Sequence, residues 1–300
     1  MPENKKLLII DANALIHRAF HALPPLTTKS GEQVNAVYGF LLVLFRALKE
    51  FQPEYAVAAF DFPGKTFRHE KFEQYKAKRP KAPAELYNQI PLIKNVLAGF
   101  NIPVFEKQGF EADDIIGTIA DKSAEESVII SGDMDILQLV NAKTRAYILK
   151  RGIKEAILYD TDEVKKKYEG IGPGQLADFK GLRGDPSDNI PGVLGVGEKT
   201  ALDLLKQFGT LENIYKEIDK VKPAIKKKLV DHKDLAFLSR DLGEINKDIP
   251  IDFDLEKSRF GQYDQARAIK ILEEFNFYSL INKLPQIDKA KAVRESLKLW

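Results

Sequence analysis

Residues 111–114 read Glu-Ala-Asp-Asp, three carboxylates in four positions, followed at once by the apolar pair Ile115 and Ile116. Acids this close repel one another, so they need solvent or cations around them. Glu111, Asp113 and Asp114 could simply form the first turn of a helix, where acidic side chains complement the helix dipole and accept from free N–H groups. Further acids close short apolar runs elsewhere: Asp11 after residues 7–10, Asp61 after 55–60, Asp133 and Asp135 after 128–130, and Asp185 and Asp188 in Gly-Asp-Pro-Ser-Asp. Hard divalent cations take such oxygen ligands, and an open α/β sheet gathers its strand ends into one crevice. The pattern points to a two-metal phosphodiesterase. On a helix starting at Glu111, positions 111 and 114 share a face and 113 turns away, so the three acids need not touch one ion. The plainer reading of residues 131–135 is a glycine turn with Asp133 capping the segment up to Leu139.

Basic residues suit the same chemistry. Between residues 62 and 83 hydrophobicity falls and Lys65, Arg68, Lys71, Lys76, Lys78, Arg79 and Lys81 crowd in, with Phe67, Phe72 and Tyr75 interleaved. Such runs are commonly solvated loops, but cations with aromatics also bind single-stranded nucleic acid through phosphates and base stacking. Arg18 follows Asp11 by seven residues. Further on, Gly195-Val196-Gly197 precedes an amphipathic segment bearing Lys199 and Thr200. Glycines there let backbone approach a phosphate, and a cation in a first helical turn gains from an anion what it loses against the dipole. Lys222 and Lys226 to Lys228 add a second basic face or a solvated helix.

The elements that must position these groups follow from periodicity. Residues 7–10, 55–60 and 128–130 read as buried parallel strands, each delivering acids at its end. Residues 101–105 read as a short strand, and 145–149 with 156–159 as a terminal strand pair. Helical periodicity spans 34–51, 86–100, 111–125, 202–208 and 263–280. The second half is helical, and residues 286–300 read as a tail. A chain of 300 residues accommodates one large domain or two modest ones. With no cysteine, disulfides and thiolate chemistry are excluded, and four scattered histidines make no zinc site. The longest apolar run, residues 40–45, is too short for a bilayer, and the N-terminus lacks the apolar stretch of a signal peptide, so a cytoplasmic, membrane-free protein is expected. Net charge is +2; with the clustered acids set against cations, the remaining surface is basic and suits a polyanion.

Taken in order, Asp11, Asp61, Arg68, Tyr75-Lys76, Arg79, Glu111 to Asp114, Asp133 and Asp135, Asp185 to Asn189 and Gly195 to Ala201 closely resemble the motifs of the bacterial and phage 5′-nucleases, which include the N-terminal 5′→3′ exonuclease domain of bacterial DNA polymerase I and are similar to flap endonucleases. The resemblance covers residues 7–283. It implies a mostly parallel α/β sheet flanked by helices, a PIN-like core over residues 1–170 with a helical arch at 62–86, and an α-helical region at 171–285 containing a helix-three-turn-helix motif. It implies Mg²⁺- or Mn²⁺-dependent cleavage of DNA near 5′ single-strand/duplex junctions, giving a 5′-phosphate and a 3′-hydroxyl, in replication and repair. Two ions would be held by Asp11, Asp61, Glu111, Asp113, Asp114, Asp133 and Asp135, with Asp185 and Asp188 at the second site. Lys76 and Arg79, with Arg18 as a helper, are the catalytic candidates that would bind and polarise the scissile phosphate. Arg68, Tyr75, Gly195, Val196, Gly197, Lys199 and Thr200 are the DNA-binding candidates, with K⁺ at the glycine turn as in the family. An RNA primer strand, fusion to a polymerase and a monomeric state are the accompanying expectations. The rivals are a PIN-type ribonuclease, which is usually shorter and lacks the helical half, and a junction-binding module without chemistry.

Overall fold

The computed structural model describes residues 5–285; the expected tail at 286–300 lies outside them. The chain opens with β1 (Lys6–Asp11), whose Leu7 to Ile10 are wholly buried. Helices α1 (Ala12–Ala22) and α2 (Asn35–Phe51) follow, then β2 (Tyr55–Ala59). The basic segment contains one short helix, α3 (Phe67–Lys71), and turns. The helix expected at 86–100 is two pieces, α4 (Ala84–Tyr87) and α5 (Gln89–Gly99), joined at Asn88. After β3 (Val104–Phe105) come α6 (Ala112–Lys122), β4 (Glu126–Ser131), β5 (Thr144–Leu149) and β6 (Ala156–Tyr159).

The six strands lie in the order β3-β2-β1-β4-β5-β6, parallel except for β6, which runs antiparallel to β5 at the edge. Both faces are covered, so the central strands are continuously apolar rather than alternating with polar residues. Leu8, Ile10, Ala56, Ala58, Val128 and Ile130 face α1, α2 and α5, while Leu7, Ile9, Val57, Ala59 and Ile129 face α6 and the helical half. This is the period-2 alternation of a pleated strand read on two dry faces. The chain builds outward from β1 through β2 to β3, then returns to β4 on the other side. The order therefore reverses between β1 and β4, the place where an open sheet leaves a crevice beyond its carboxyl ends.

The second half is helical: α7 (Thr161–Lys167), α8 (Leu176–Arg183), α9 (Glu198–Phe208), α10 (Leu211–Lys216), α11 (Pro223–Asp231) and α12 (Lys233–Gly243), followed by α13 (Gln265–Glu274) and α14 (Tyr278–Ile281). It shares its core with the sheet: Leu202, Leu205, Ile214 and Leu229 belong to the same buried cluster as Leu7 and Ile129. Helices α8 and α12 approach closely because Gly181 has no side chain; a Cβ there would sit 2.9 Å from the Ala236 carbonyl oxygen. The segment expected as one helix at 263–280 is broken at residues 275–277, where Phe275 and Phe277 turn into the core under α14. Among the described residues no helix is long and apolar enough to cross a membrane.

Candidate active site

β1 and β4 end side by side, and their last residues open a cavity of about 520 Å³. Its walls carry seven carboxylates: Asp11, Asp61, Glu111, Asp113, Asp133, Asp135 and Asp188. Asp11 is 3% exposed and caps α1 by accepting from the Ala14 N–H. Its other oxygen accepts from the Ser131 hydroxyl, which in turn accepts from the Asp133 N–H at 2.8 Å. Burial raises the Asp11 carboxyl to about 7, against the pull of the Ser131 and Ala14 hydrogen bonds and with added repulsion from Asp133 and Asp61. Asp113 is raised well above the ordinary carboxylate range by desolvation and by Asp11, Asp133 and Asp135. Asp135 rises to about 6, again chiefly through burial, with Lys180 opposing. Carboxylates so held favour protonation at low pH or a cation at neutral pH.

Asp61, at the end of the second strand run, accepts from the Ala112 N–H at 2.8 Å and so helps cap α6 from outside. Its own N–H donates to Asn13 Oδ1. Asp185 and Asp188 come from a loop that closes on itself: Asp185 and Ile190 exchange backbone hydrogen bonds of 2.9 and 2.8 Å. Gly184 and Gly192, at φ +76° and +65°, make that closure, since a Cβ on Gly192 would lie 2.2 Å from the Gly184 nitrogen. Oxygens of Asp135, Asp185 and Asp188 lie within 4.8 Å of one another. The donor set is all oxygen, which fits a hard divalent cation and not zinc or copper held by nitrogen and sulfur.

The basic segment is folded down over this acidic wall. Lys76 Nζ lies 2.9 Å from Glu111 Oε1, and Arg79 pairs with Asp188. The Tyr75 hydroxyl lies 3.1 Å from Glu111 Oε2 and 3.4 Å from Asp188 Oδ2. Backbone ties the same two segments: Lys76 N–H donates to the Asp188 carbonyl, and Asn189 Nδ2 donates to the Gln74 carbonyl. Lys76 sits at φ +57°, an uncommon conformation for a side chain, held by these contacts.

Residues 6–169 match the family model described as 5′-3′ exonuclease, N-terminal resolvase-like domain, and residues 171–266 match 5′-3′ exonuclease, C-terminal SAM fold. The chain belongs to the 5′-3′ exonuclease family. It is 43% identical to DNA polymerase I of Bacillus subtilis over 300 residues, covering 98% of this chain and 34% of that protein. Against the thermostable DNA polymerase I of Thermus aquaticus the figures are 38% over 294 residues, 97% and 34%. The chain thus spans about a third of the length of these relatives. T5 5′-exonuclease with bound zinc has the same fold at a TM-score of 0.66 and 20% identity, covering 93% of this chain and all of that one. Flap endonuclease-1 from Methanococcus jannaschii gives 0.58 and 21%, covering 93% and 90%. The mostly parallel sheet with a helical second half is the fold of this exonuclease family.

Within the exonuclease fold, two expected site residues are placed differently. Asp114 does not reach the cleft: it is fully buried, and both its oxygens take Arg68 in a bidentate pair at 2.8 Å. It also accepts from the Glu111 and Asn246 N–H groups. Glu111 and Asp113 both line the cleft, so the expected pairing of 111 with 114 on one face, with 113 turned away, does not hold: Asp114 is the one turned inward. Arg68, expected to bind DNA, lines the cleft with its guanidinium committed to Asp114. It is 3% exposed and spends its remaining donors on the Leu242 and Glu244 carbonyls. Tyr75 lines the cleft but is 3% exposed, its hydroxyl committed to carboxylates. Arg18 lines the cleft while donating to the Gly132 and Lys150 carbonyls at 2.9 and 3.0 Å, so it clamps the exits of β4 and β5. Gly132 makes room for it, since a Cβ there would lie 2.7 Å from Arg18 Cγ.

Gly195, Val196, Gly197, Lys199 and Thr200 are not among the cleft residues; they form the turn into α9. Val196 is buried, whereas Gly195, Gly197 and Lys199 are exposed. Lys228 of α11 donates to the Gly195 carbonyl at 2.9 Å. Residues missed by spacing alone are Asn13, Ser131 and Lys180. Ser131, closing a strand one residue before the glycine turn, carried the only local signal; Lys180 is brought in from α8 by tertiary packing.

Proposed function

We propose that this chain is a structure-specific 5′-nuclease that hydrolyses DNA phosphodiesters near junctions between duplex and 5′ single strand. The observation that carries the reading is that seven carboxylates and the arch cations Lys76 and Arg79 face one cavity at the sheet's switch point. Asp11, Asp61, Glu111, Asp113 and Asp133 would hold one Mg²⁺ or Mn²⁺, and Asp135, Asp185 and Asp188 the second. Bound there, the ions would supply a hydroxide from water at neutral pH and neutralise the leaving oxygen.

The protein's own groups do the rest. Ser131 and the Ala14 N–H fix the orientation of the Asp11 carboxyl, and Asn13 steadies the backbone at Asp61. Lys76 and Arg79, exchanging Glu111 and Asp188 for a phosphate, would bind the scissile group and stabilise charge developing on it. The α9 N-terminus, with the exposed Gly197 N-cap and Lys199, offers N–H donors and a cation to duplex backbone, a contact that carries no sequence preference. K⁺ at this turn would share the Gly195 carbonyl with Lys228. Cleavage leaves a 5′-phosphate and a 3′-hydroxyl, as in primer removal and repair. RNA primer strands are then natural substrates, and the remainder of a polymerase a natural companion.

A 5′-labelled DNA flap and a single-stranded RNA, each incubated with Mg²⁺, test this. Scission of the flap within a nucleotide or two of the junction, with products that ligase accepts, is the expected result. Efficient RNA cleavage with an intact flap would overturn it in favour of a PIN-type ribonuclease.

A further inference from the structure

Lys180 lies in the last turn of α8 with its side chain 13% exposed. Its Nζ pairs with Asp135 and, at 2.9 Å, with Asp185 Oδ2. Those are two of the three carboxylates whose oxygens converge within 4.8 Å. The ammonium thus stands among the oxygens that suit a divalent ion. Its stem is packed into place: a Cβ on Gly243 would lie 2.8 Å from Lys180 Cδ and 3.1 Å from its Cβ, so α12 offers a glycine where the lysine runs past. Gly181 beside it brings α8 and α12 together. Burial favours the neutral amine, but Asp135 and Asp185 outweigh it and hold the lysine charged, while Asp185 is drawn down to about 2 despite its own burial.

We infer that Lys180 is a built-in counter-ion for the second metal site, holding Asp135 and Asp185 together in the metal-free protein and yielding them when the second divalent cation binds. This rests on the two-metal reading above. Its consequence is staged binding. The ion at Asp11, Asp113 and Asp133 meets the Lys76 ammonium only through Glu111, whereas Asp135 and Asp185 are both paired with Lys180, which the second ion must displace. The second site is therefore the weaker, and it is filled best when substrate phosphate adds negative charge. Lys180 is a positioning residue, acting through the carboxylates it holds.

The test is Mn²⁺ binding to the DNA-free protein, read as free Mn²⁺ by electron paramagnetic resonance, for wild type, Lys180→Met and Lys180→Arg. Methionine keeps the stem against Gly243 and removes the charge; arginine keeps the charge. Wild type is expected to bind one ion tightly and a second weakly, and Lys180→Met to tighten the second by at least about tenfold. Lys180→Arg should keep the weak second site. In EDTA, Lys180→Met should melt below wild type, with Mn²⁺ restoring the difference. An unchanged or weakened second site in Lys180→Met, with Asp185→Asn abolishing that site in the same assay, would overturn the counter-ion role and leave the two-metal reading standing. Absence of Mn²⁺ binding in wild type would overturn both.

Discussion

Asp113 and Asp114 are neighbours of the same type with opposite fates. Asp113 is held above the ordinary carboxylate range by burial and by Asp11, Asp133 and Asp135, which Lys76 only partly offsets, whereas Asp114 is enclosed by a guanidinium and two backbone N–H groups. Asp113→Asn is therefore expected to abolish metal-dependent cleavage while leaving stability in EDTA equal to or above wild type. Urea unfolding and a flap assay on the same sample check this. Arg68→Ala should do the reverse first, costing about 3–5 kcal/mol because it strands a fully buried carboxylate. A loss under about 1 kcal/mol would mean that solvent reaches Asp114. The acids were legible as a group from residue type and spacing. Which of them faces the cleft was not, because Arg68 reaches α6 from 46 residues away in sequence and no local periodicity records that.

At the scale of elements, the strands and their terminal acids were legible because a dry parallel strand has to be continuously apolar and a switch point gathers its ends. The arch was not. Its one short helix is tied to residues 242 and 244, and the turns after it to residue 188, rather than fixed by its own pattern, and Asn88 and residues 275–277 divide helices that periodicity alone runs together. Because Lys76 is held between Glu111 and the Asp188 carbonyl, Lys76→Ala should lower cleavage by about a hundredfold or more, with flap affinity reduced far less; single-turnover kinetics separate the two. The loop bearing Asp185 and Asp188 has no room for a side chain at Gly192. Gly192→Ala should cost about 2 kcal/mol or more and weaken the second Mn²⁺ in proportion to the displaced aspartates. Calorimetry with and without metal reads both.

For the whole molecule, the acidic cleft is a store of repulsion that cations relieve. Asp11 titrates near 7 and Asp135 near 6, with Asp113 also raised, whereas in the unfolded chain all three would titrate near 4. Between about pH 4 and pH 7 the folded protein therefore holds protons that the unfolded chain has released, so metal-free stability falls as pH rises through that window. Divalent ions bind the deprotonated form and remove the penalty. The rise in Tm on adding Mg²⁺ should accordingly grow from pH 5 to pH 7.5, and thermal melts with Mg²⁺ or EDTA across that range measure it. The helical half shares the sheet's second hydrophobic cluster, and Lys180 reaches the acids from α8, so the cleft is completed by both halves of the chain.

The central claim is that the carboxylates at the sheet's switch point are the working centre of a metal-dependent 5′-nuclease. Its most direct test is cleavage of a 5′-labelled flap duplex by wild type and Asp133→Asn, each with Mg²⁺ and with EDTA. Cutting near the junction only with Mg²⁺, and nearly abolished in Asp133→Asn, is the predicted result. Tight flap binding without cleavage under Mg²⁺ or Mn²⁺ would contradict it and leave a junction-binding protein in its place.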